Sequence, residues 1–108
     1  MSDIKQLISI IIPVFNESES IGFLLDEVIN VMSVHKFNFE LIVVNDGSKD
    51  STYQVLKQLT FKIKELSVIC LRKNYGQTAA MSAGFDNSKG DIIITLDGDL
   101  QNLSLIHI

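Results

Sequence analysis

A chain of 108 residues with 46% hydrophobic and 20% charged side chains has the composition of one globular domain, long enough for a core but small for an enzyme holding a nucleotide and a second substrate. A net charge of −4, with nine Lys and Arg scattered along the chain, excludes a basic stripe for nucleic acid, so phosphates would need a metal or backbone donors. One cysteine excludes a disulfide framework and fits a reducing compartment, and no apolar run approaches the roughly 18 residues of a membrane helix.

Residues 1–6 lack the basic region of a signal peptide. Ser9 to Phe15 reads as the first strand, with Pro13 marking where ladder pairing stops because it has no N–H to donate. Asn16 and Glu17 follow, and Ser18 or Ser20 is placed to cap a helix in which Ile21, Leu24, Leu25, Val28 and Met32 recur on one face. His35 reads as helix-terminal surface. Phe39 to Val44 is the second strand, ending in the turn Asn45-Asp46-Gly47-Ser48.

A second helix is expected from about Asp50 to Lys64, with Val55, Leu56, Leu59 and Ile63 inward. Leu66 to Leu71 is the third strand, with Cys70 expected to be a buried strand thiol. The polar loop Arg72-Lys73-Asn74-Tyr75-Gly76-Gln77 leads to a helix opening near Thr78, whose Ala79, Ala80, Ala83 and Gly84 allow close approach to the sheet. Gly90 ends that helical region. No internal repeat or linker interrupts the pattern.

The fourth strand, around Ile92-Ile93-Ile94-Thr95-Leu96, has the composition of one buried on both faces, and it ends in Asp97-Gly98-Asp99. Two carboxylates around a glycine can turn their oxygens toward one point if the backbone leaves strand geometry, and oxygen-only ligands favour Mg²⁺ or Mn²⁺. An ordinary turn explains the same residues. A calcium loop fails on spacing, whereas a phosphatase site with Asp97 as nucleophile stays open.

Alternating strands and helices call for right-handed crossovers, a parallel sheet, and all strand carboxyl ends on one edge. Glu17, Asp46, Arg72, Asn74, Asp97 and Asp99 each follow a strand and therefore share that edge. If strand order reverses beside the first strand, the crevice there is nucleotide-sized. Neither a dinucleotide-binding fingerprint nor a Walker loop is present.

Four motifs in order carry a resemblance: Ile12-Pro13-Val14-Phe15-Asn16-Glu17; Val44-Asn45-Asp46-Gly47-Ser48; Arg72 to Gln77 with the following Ala79 to Asp86; and Asp97-Gly98-Asp99-Leu100-Gln101. Together they resemble the inverting family 2 glycosyltransferases of the glycosyltransferase A fold, in the branch similar to dolichol-phosphate mannose synthase. The resemblance implies a three-layer α/β/α sandwich with a mainly parallel sheet, cut short after the fourth strand. It implies a nucleotide-sugar pocket drawn from Pro13, Val14, Glu17, Asp46, Arg72, Asn74 and Asp97, with Pro13 and Glu17 lining base and ribose and Asp46 accepting an N–H from the base. A carboxylate accepts but cannot donate, which would favour uracil or guanine over cytosine. An Asx-turn, or a cap for the second helix through Asp46 or Ser48, is the structural alternative. By the same resemblance Asp97 and Asp99 are the catalytic pair and, with Gln101, the ligands of Mg²⁺ or Mn²⁺, Asp99 foremost.

The implied reaction moves a sugar from a nucleotide diphosphate donor of the GDP-mannose or UDP-glucose type, with inversion, to a polyprenyl phosphate. That acceptor is already largely anionic and needs little deprotonation, and no general base for a sugar hydroxyl follows in the sequence. The expected setting is cytoplasmic, peripheral to the membrane face. A catalytically inactive nucleotide-binding fragment is the alternative, because Leu103-Ser104-Leu105-Ile106-His107-Ile108 lacks the proline and acid that follow the glutamine in the family. Residues 1–102 are thus expected to form the nucleotide-sugar-binding part and residues 103–108 an atypical tail foreign to the fold.

Overall fold

The computed structural model describes residues 6–96. Strands and helices alternate along them: β1 (Leu7–Val14), α1 (Ile21–Val34), β2 (Asn38–Asn45), α2 (Thr52–Lys62), β3 (Leu66–Cys70), α3 (Gln77–Asn87) and β4 (Ile92–Thr95). The strands form one parallel sheet in the order β3-β2-β1-β4. The chain runs outward from β1 to β3 and then returns to the other side of β1, so strand order reverses between β1 and β4.

Both faces of the sheet are covered. Ile10, Ile12, Val14, Leu41 and Val43 point to one side, where they pack with Ile21, Leu24, Leu25, Val28 and Met32 of α1 and Leu56 of α2. The alternate residues Ile11, Ile42 and Val44 meet Ala80 of α3 on the other. This period of two explains why the aliphatic runs of β1 and β2 have no polar face. Small residues bring α3 close: a Cβ on Gly84 would lie 2.4 Å from Ile11 Cγ2.

Pro13 stops pairing on one side only. Ile11 O accepts Leu96 N–H, Val14 O accepts Asp46 N–H, and alternate residues point to opposite neighbours, so the missing donor of Pro13 faces β4. There the ladder ends at Ile11 and Thr95, while toward β2 it runs on through Pro13–Val44 to Val14–Asn45.

The helices begin and end where local bonds dictate. Ser20 stands at the N-cap of α1 without capping it; its hydroxyl donates to Glu17 Oε1, and Glu17 O accepts the N–H groups of Ser20 and Ile21. Helix α2 is shorter than its apolar pattern, because Asp50 Oδ1 accepts Thr52 N–H ahead of it and Ile63 is already extended.

Two expectations of burial are corrected. Ile92 and Ile93 of β4 are 41% and 42% exposed, because α3 lies over β1 and β2 and β4 pairs only with β1 among the described residues. Cys70 is exposed rather than buried, since it ends β3, the edge strand on the other side. At the amino-terminal end of the sheet, fully buried Ser9 donates to Glu40 and accepts the Gly90 N–H, and Glu40 also accepts the Lys89 N–H, fixing the chain as it enters β4.

Candidate functional site

The loops after β1, β2 and β3 converge at the carboxyl edge of the sheet, and polar side chains hold them together. Asn16, with a positive φ of 54°, ties the loop after β1 to the turn after β2: its N–H donates to Ser48 Oγ and its Oδ1 accepts the N–H of Lys49 at 2.8 Å. Glu17 N–H donates to Thr52 Oγ1, and the buried Thr52 hydroxyl donates in turn to Asp50. That hydroxyl, aided by backbone and Ser18 bonds, holds the exposed Asp50 carboxyl below the usual aspartate range.

Asp46 ties the third loop to the second. Its side chain is 4% exposed, with Oδ1 accepting Tyr75 N–H at 2.9 Å and Oδ2 accepting Gly76 N–H and Asn74 Nδ2–H at 3.0 Å each. Asn74 Nδ2 also donates to the Asp46 carbonyl at 3.1 Å. Gly76, at φ 100°, is the N-cap of α3, so the carboxylate lies where helix dipole and free amides favour negative charge. The side-chain bond that closes this turn belongs to Asn45, whose Oδ1 accepts the N–H of Ser48 three residues on, and neither Asp46 nor Ser48 caps α2.

The other expected site residues divide by burial. Pro13 is half-buried at the end of β1, whereas the Val14 side chain belongs to the core beneath the edge. Glu17 is half-buried against the start of α1; Arg72 and Asn74 are exposed in the third loop. Asp97, Asp99 and Gln101 lie outside the described residues, and no group of three or more His, Cys, Asp or Glu placed to hold a metal occurs among those described.

A cleft of about 550 Å³ opens between the ends of β2 and β3, lined among others by Ser48, Tyr53, Cys70, Arg72 and Asn74. It lies on the other side of β1 from the strand reversal and does not include Pro13 or Asp46. The reversal is the firmer guide to a ligand spanning the edge, because strand order fixes it whatever the rotamers of exposed side chains. Asn16 and Gly47 stand in the sequence motifs without an individual role, and Thr52 stands outside them. Their signal was present in the clustered Asn, Ser, Thr, Asp and Gly of the two turns, residues that bond to nearby backbone or accept positive φ.

Comparison with known proteins is consistent along almost the whole chain. The sequence model described as Glycosyl transferase family 2 matches residues 9–104. The chain is 40% identical over 105 residues to undecaprenyl-phosphate 4-deoxy-4-formamido-L-arabinose transferase of Edwardsiella ictaluri, covering 94% of this chain and 32% of that protein. It is 43% identical over 96 residues to dodecaprenyl-phosphate galacturonate synthase of Rhizobium johnstonii, covering 88% and 28%. It therefore spans about a third or less of these relatives' length. Among solved structures, the mannosyltransferase PcManGT from Pyrobaculum calidifontis, in complex with GDP-Man and Mn²⁺, superposes with a TM-score of 0.79 at 21% identity, over 90% of this chain and 28% of that one. S. aureus TarS 1-349 in complex with UDP-GlcNAc gives 0.71 at 28% identity, over 89% and 27%.

Proposed function

The chain belongs to glycosyl transferase family 2 and has the glycosyltransferase A fold, and on that premise we propose that it forms the donor-binding part of an enzyme that transfers a sugar from a nucleotide diphosphate to a polyprenyl phosphate. The observation that carries this reading is the reversal of strand order at β1, with the three preceding loops locked at the same carboxyl edge. A nucleotide lying along that edge would meet Pro13 and Glu17 at the end of β1 and Arg72 and Asn74 in the loop after β3. The acceptor class rests on the names of the two curated relatives, both polyprenyl-phosphate sugar transferases. GDP-mannose or UDP-glucose as donor, and inversion at the anomeric carbon, follow from the motif resemblance.

Asp97, Asp99 and Gln101 form an oxygen-only donor set of the kind that suits Mg²⁺ or Mn²⁺, and these residues would hold the ion. Bound there, such an ion would neutralise charge gathering on the departing diphosphate. The rest of the work falls to the chain itself: an edge whose loops are already tied needs less ordering when the nucleotide arrives. The setting proposed is the cytoplasmic face of a membrane, where a polyprenyl phosphate presents its headgroup; no helix among the described residues is long and apolar enough to cross the bilayer.

Displacement of a fluorescent nucleotide by UDP, GDP and their sugar derivatives, in the presence of Mn²⁺, tests donor binding and identifies the base. Saturable displacement by one of them supports the reading; no binding of any would contradict it. A second reading, that these 108 residues bind donor without by themselves completing transfer, is favoured by their matching only 32% and 28% of the two relatives. Glycolipid formation with donor, metal and a short polyprenyl phosphate separates the two, since repeated turnover excludes the second. The phosphatase alternative leaves the three upstream motifs without a purpose.

A further inference from the structure

The cleft between the ends of β2 and β3 opens away from the strand reversal at β1, and we propose that it is a separate anion site, taking a phosphate or diphosphate group either free or carried on a small molecule. Alternation along β2 sets it on its own face of the sheet. Val44 packs toward α3 and Val43 toward α1 and α2, so Asn45 points to the α1 and α2 side, while the next carboxylate, Asp46, turns to the start of α3. Cys70 is the register partner of Asn45 and shares its side, and Tyr53, in the first turn of α2, lines the cleft there. Its volume of about 550 Å³ lies within the roughly 300–1,000 Å³ of small-molecule pockets.

The lining is cationic in an acidic chain. Lys49, Arg72 and Lys73 contribute to it, and no Asp or Glu does, although the chain carries 13 of them. The acids beside it in sequence are engaged elsewhere: Asp46 accepts the N–H groups of Tyr75 and Gly76, and Asp50 accepts those of Thr52 and Ser18. Lys73 Nζ is drawn toward the Tyr75 ring, 5.3 Å from its centroid, which leaves Arg72 and Lys49 as the cations for an anion to meet. A guanidinium fork matches phosphate oxygens in pairs, and an ammonium serves them as a point charge.

Asn45 supplies an independent sign of a ligand. It is 4% exposed, and its Oδ1 accepts Ser48 N–H at 3.1 Å, so the amide cannot turn over and its NH₂ group faces Cys70. There Nδ2 finds only the Cys70 sulfur, at 3.9 Å, and a thiol is a weak acceptor. A buried donor so poorly matched, at the floor of a cationic cleft, is provided for by an oxyanion.

Cys70, the chain's one cysteine and an exposed one, reports occupancy. Alkylation by neutral iodoacetamide is followed by intact mass, with the full chain in metal-free buffer. Diphosphate, inorganic phosphate and phenyl phosphate should slow it to a plateau, whereas chloride at matched ionic strength should not. The tightest of the three assigns the source: phenyl phosphate an organic phosphate, either inorganic anion the free ion. Asn45→Asp keeps the bond to Ser48 but puts a carboxylate oxygen where the NH₂ stood, and should abolish protection. Lys49→Gln, on an exposed side chain, should raise the midpoint of protection about threefold or more, and it carries the test alone if Asn45→Asp fails to fold. No protection by any of the three, protection matched by chloride, or an unchanged midpoint in Lys49→Gln would overturn the proposal. Protection that requires Mn²⁺ or disappears in Asp99→Asn would put the anion in the donor site and overturn it equally. Arg72 borders the donor edge as well, so separateness is read on Lys49: UDP or GDP binding with Mn²⁺ should persist in Lys49→Gln, and its loss would merge the two sites. A wild-type chain that bound no nucleotide yet protected Cys70 with these anions would sink the donor reading and leave this site standing.

Discussion

Gly47 and Lys73 meet backbone to backbone: a Cβ placed on Gly47 would lie 2.3 Å from the Lys73 carbonyl carbon, closer than real Cβ atoms approach. Gly47 also holds a φ of +71°. The turn after β2 and the loop after β3 can therefore touch only because this position has no side chain. Gly47→Ala should cost at least about 1 kcal/mol from conformation alone, plus the displacement of the loop. Chemical denaturation measures the loss, and an unchanged midpoint would show that the two loops separate freely.

Two other glycines should respond in opposite directions. A Cβ on Gly84 meets Ile11 Cγ2 at 2.4 Å, so Gly84→Ala overpacks the interface of α3 with the sheet and should destabilise by about 1–3 kcal/mol. Gly22 in α1 has nothing within 4 Å of such a Cβ, and Gly22→Ala should stabilise by up to about 1 kcal/mol through helix propensity. Equal shifts in Tm for both variants would contradict the packing described for α3.

Much of this was legible in the sequence, and what was missed has a common cause. Apolar runs of Ile and Val marked the strands, and the spacing of Leu24, Leu25, Val28 and Met32 marked the buried face of α1, because those patterns are local. Whether a strand is central or at an edge is not local. The run at β4 resembles that of β1, yet Ile92 and Ile93 are partly exposed and Cys70 faces the cleft at the other edge. Asp46 was recognisable as a residue at a strand end, but its partners, 28 to 30 residues downstream, depend on how the loop after β3 folds back.

Ser9 links β1, β2 and the approach to β4, since its hydroxyl donates to Glu40 and accepts Gly90 N–H at 2.8 Å. Ser9→Ala leaves the Gly90 amide without its acceptor and removes one of the two donors to Glu40 Oε2, and should cost about 1–3 kcal/mol. Ser9→Gly, which also lacks the hydroxyl, cannot rescue the bond, whereas Ser9→Thr retains it. A Ser9→Ala chain as stable as the parent by urea denaturation would show the link to be unimportant.

The Thr52 hydroxyl is the main cause of the lowered Asp50 pKa. A depressed carboxyl contributes stability above its unfolded pKa, near 4, and loses it as pH falls through the folded value. Carboxyl NMR titration of Thr52→Ala should therefore show the Asp50 midpoint moving up toward the ordinary aspartate value, while Thr52→Ser leaves it low. An unmoved midpoint in Thr52→Ala would assign the shift to the backbone and Ser18 bonds instead.

On the function proposed above, the carboxyl edge of this sheet binds a nucleotide diphosphate with a divalent ion held by the Asp97-Gly98-Asp99 segment. Isothermal titration of the chain with UDP or GDP, with and without Mn²⁺, tests it against Asp99→Asn. Saturable binding that requires the metal and disappears in Asp99→Asn is the predicted result. The same affinity in Asp99→Asn as in the parent, or binding indifferent to Mn²⁺, would contradict it.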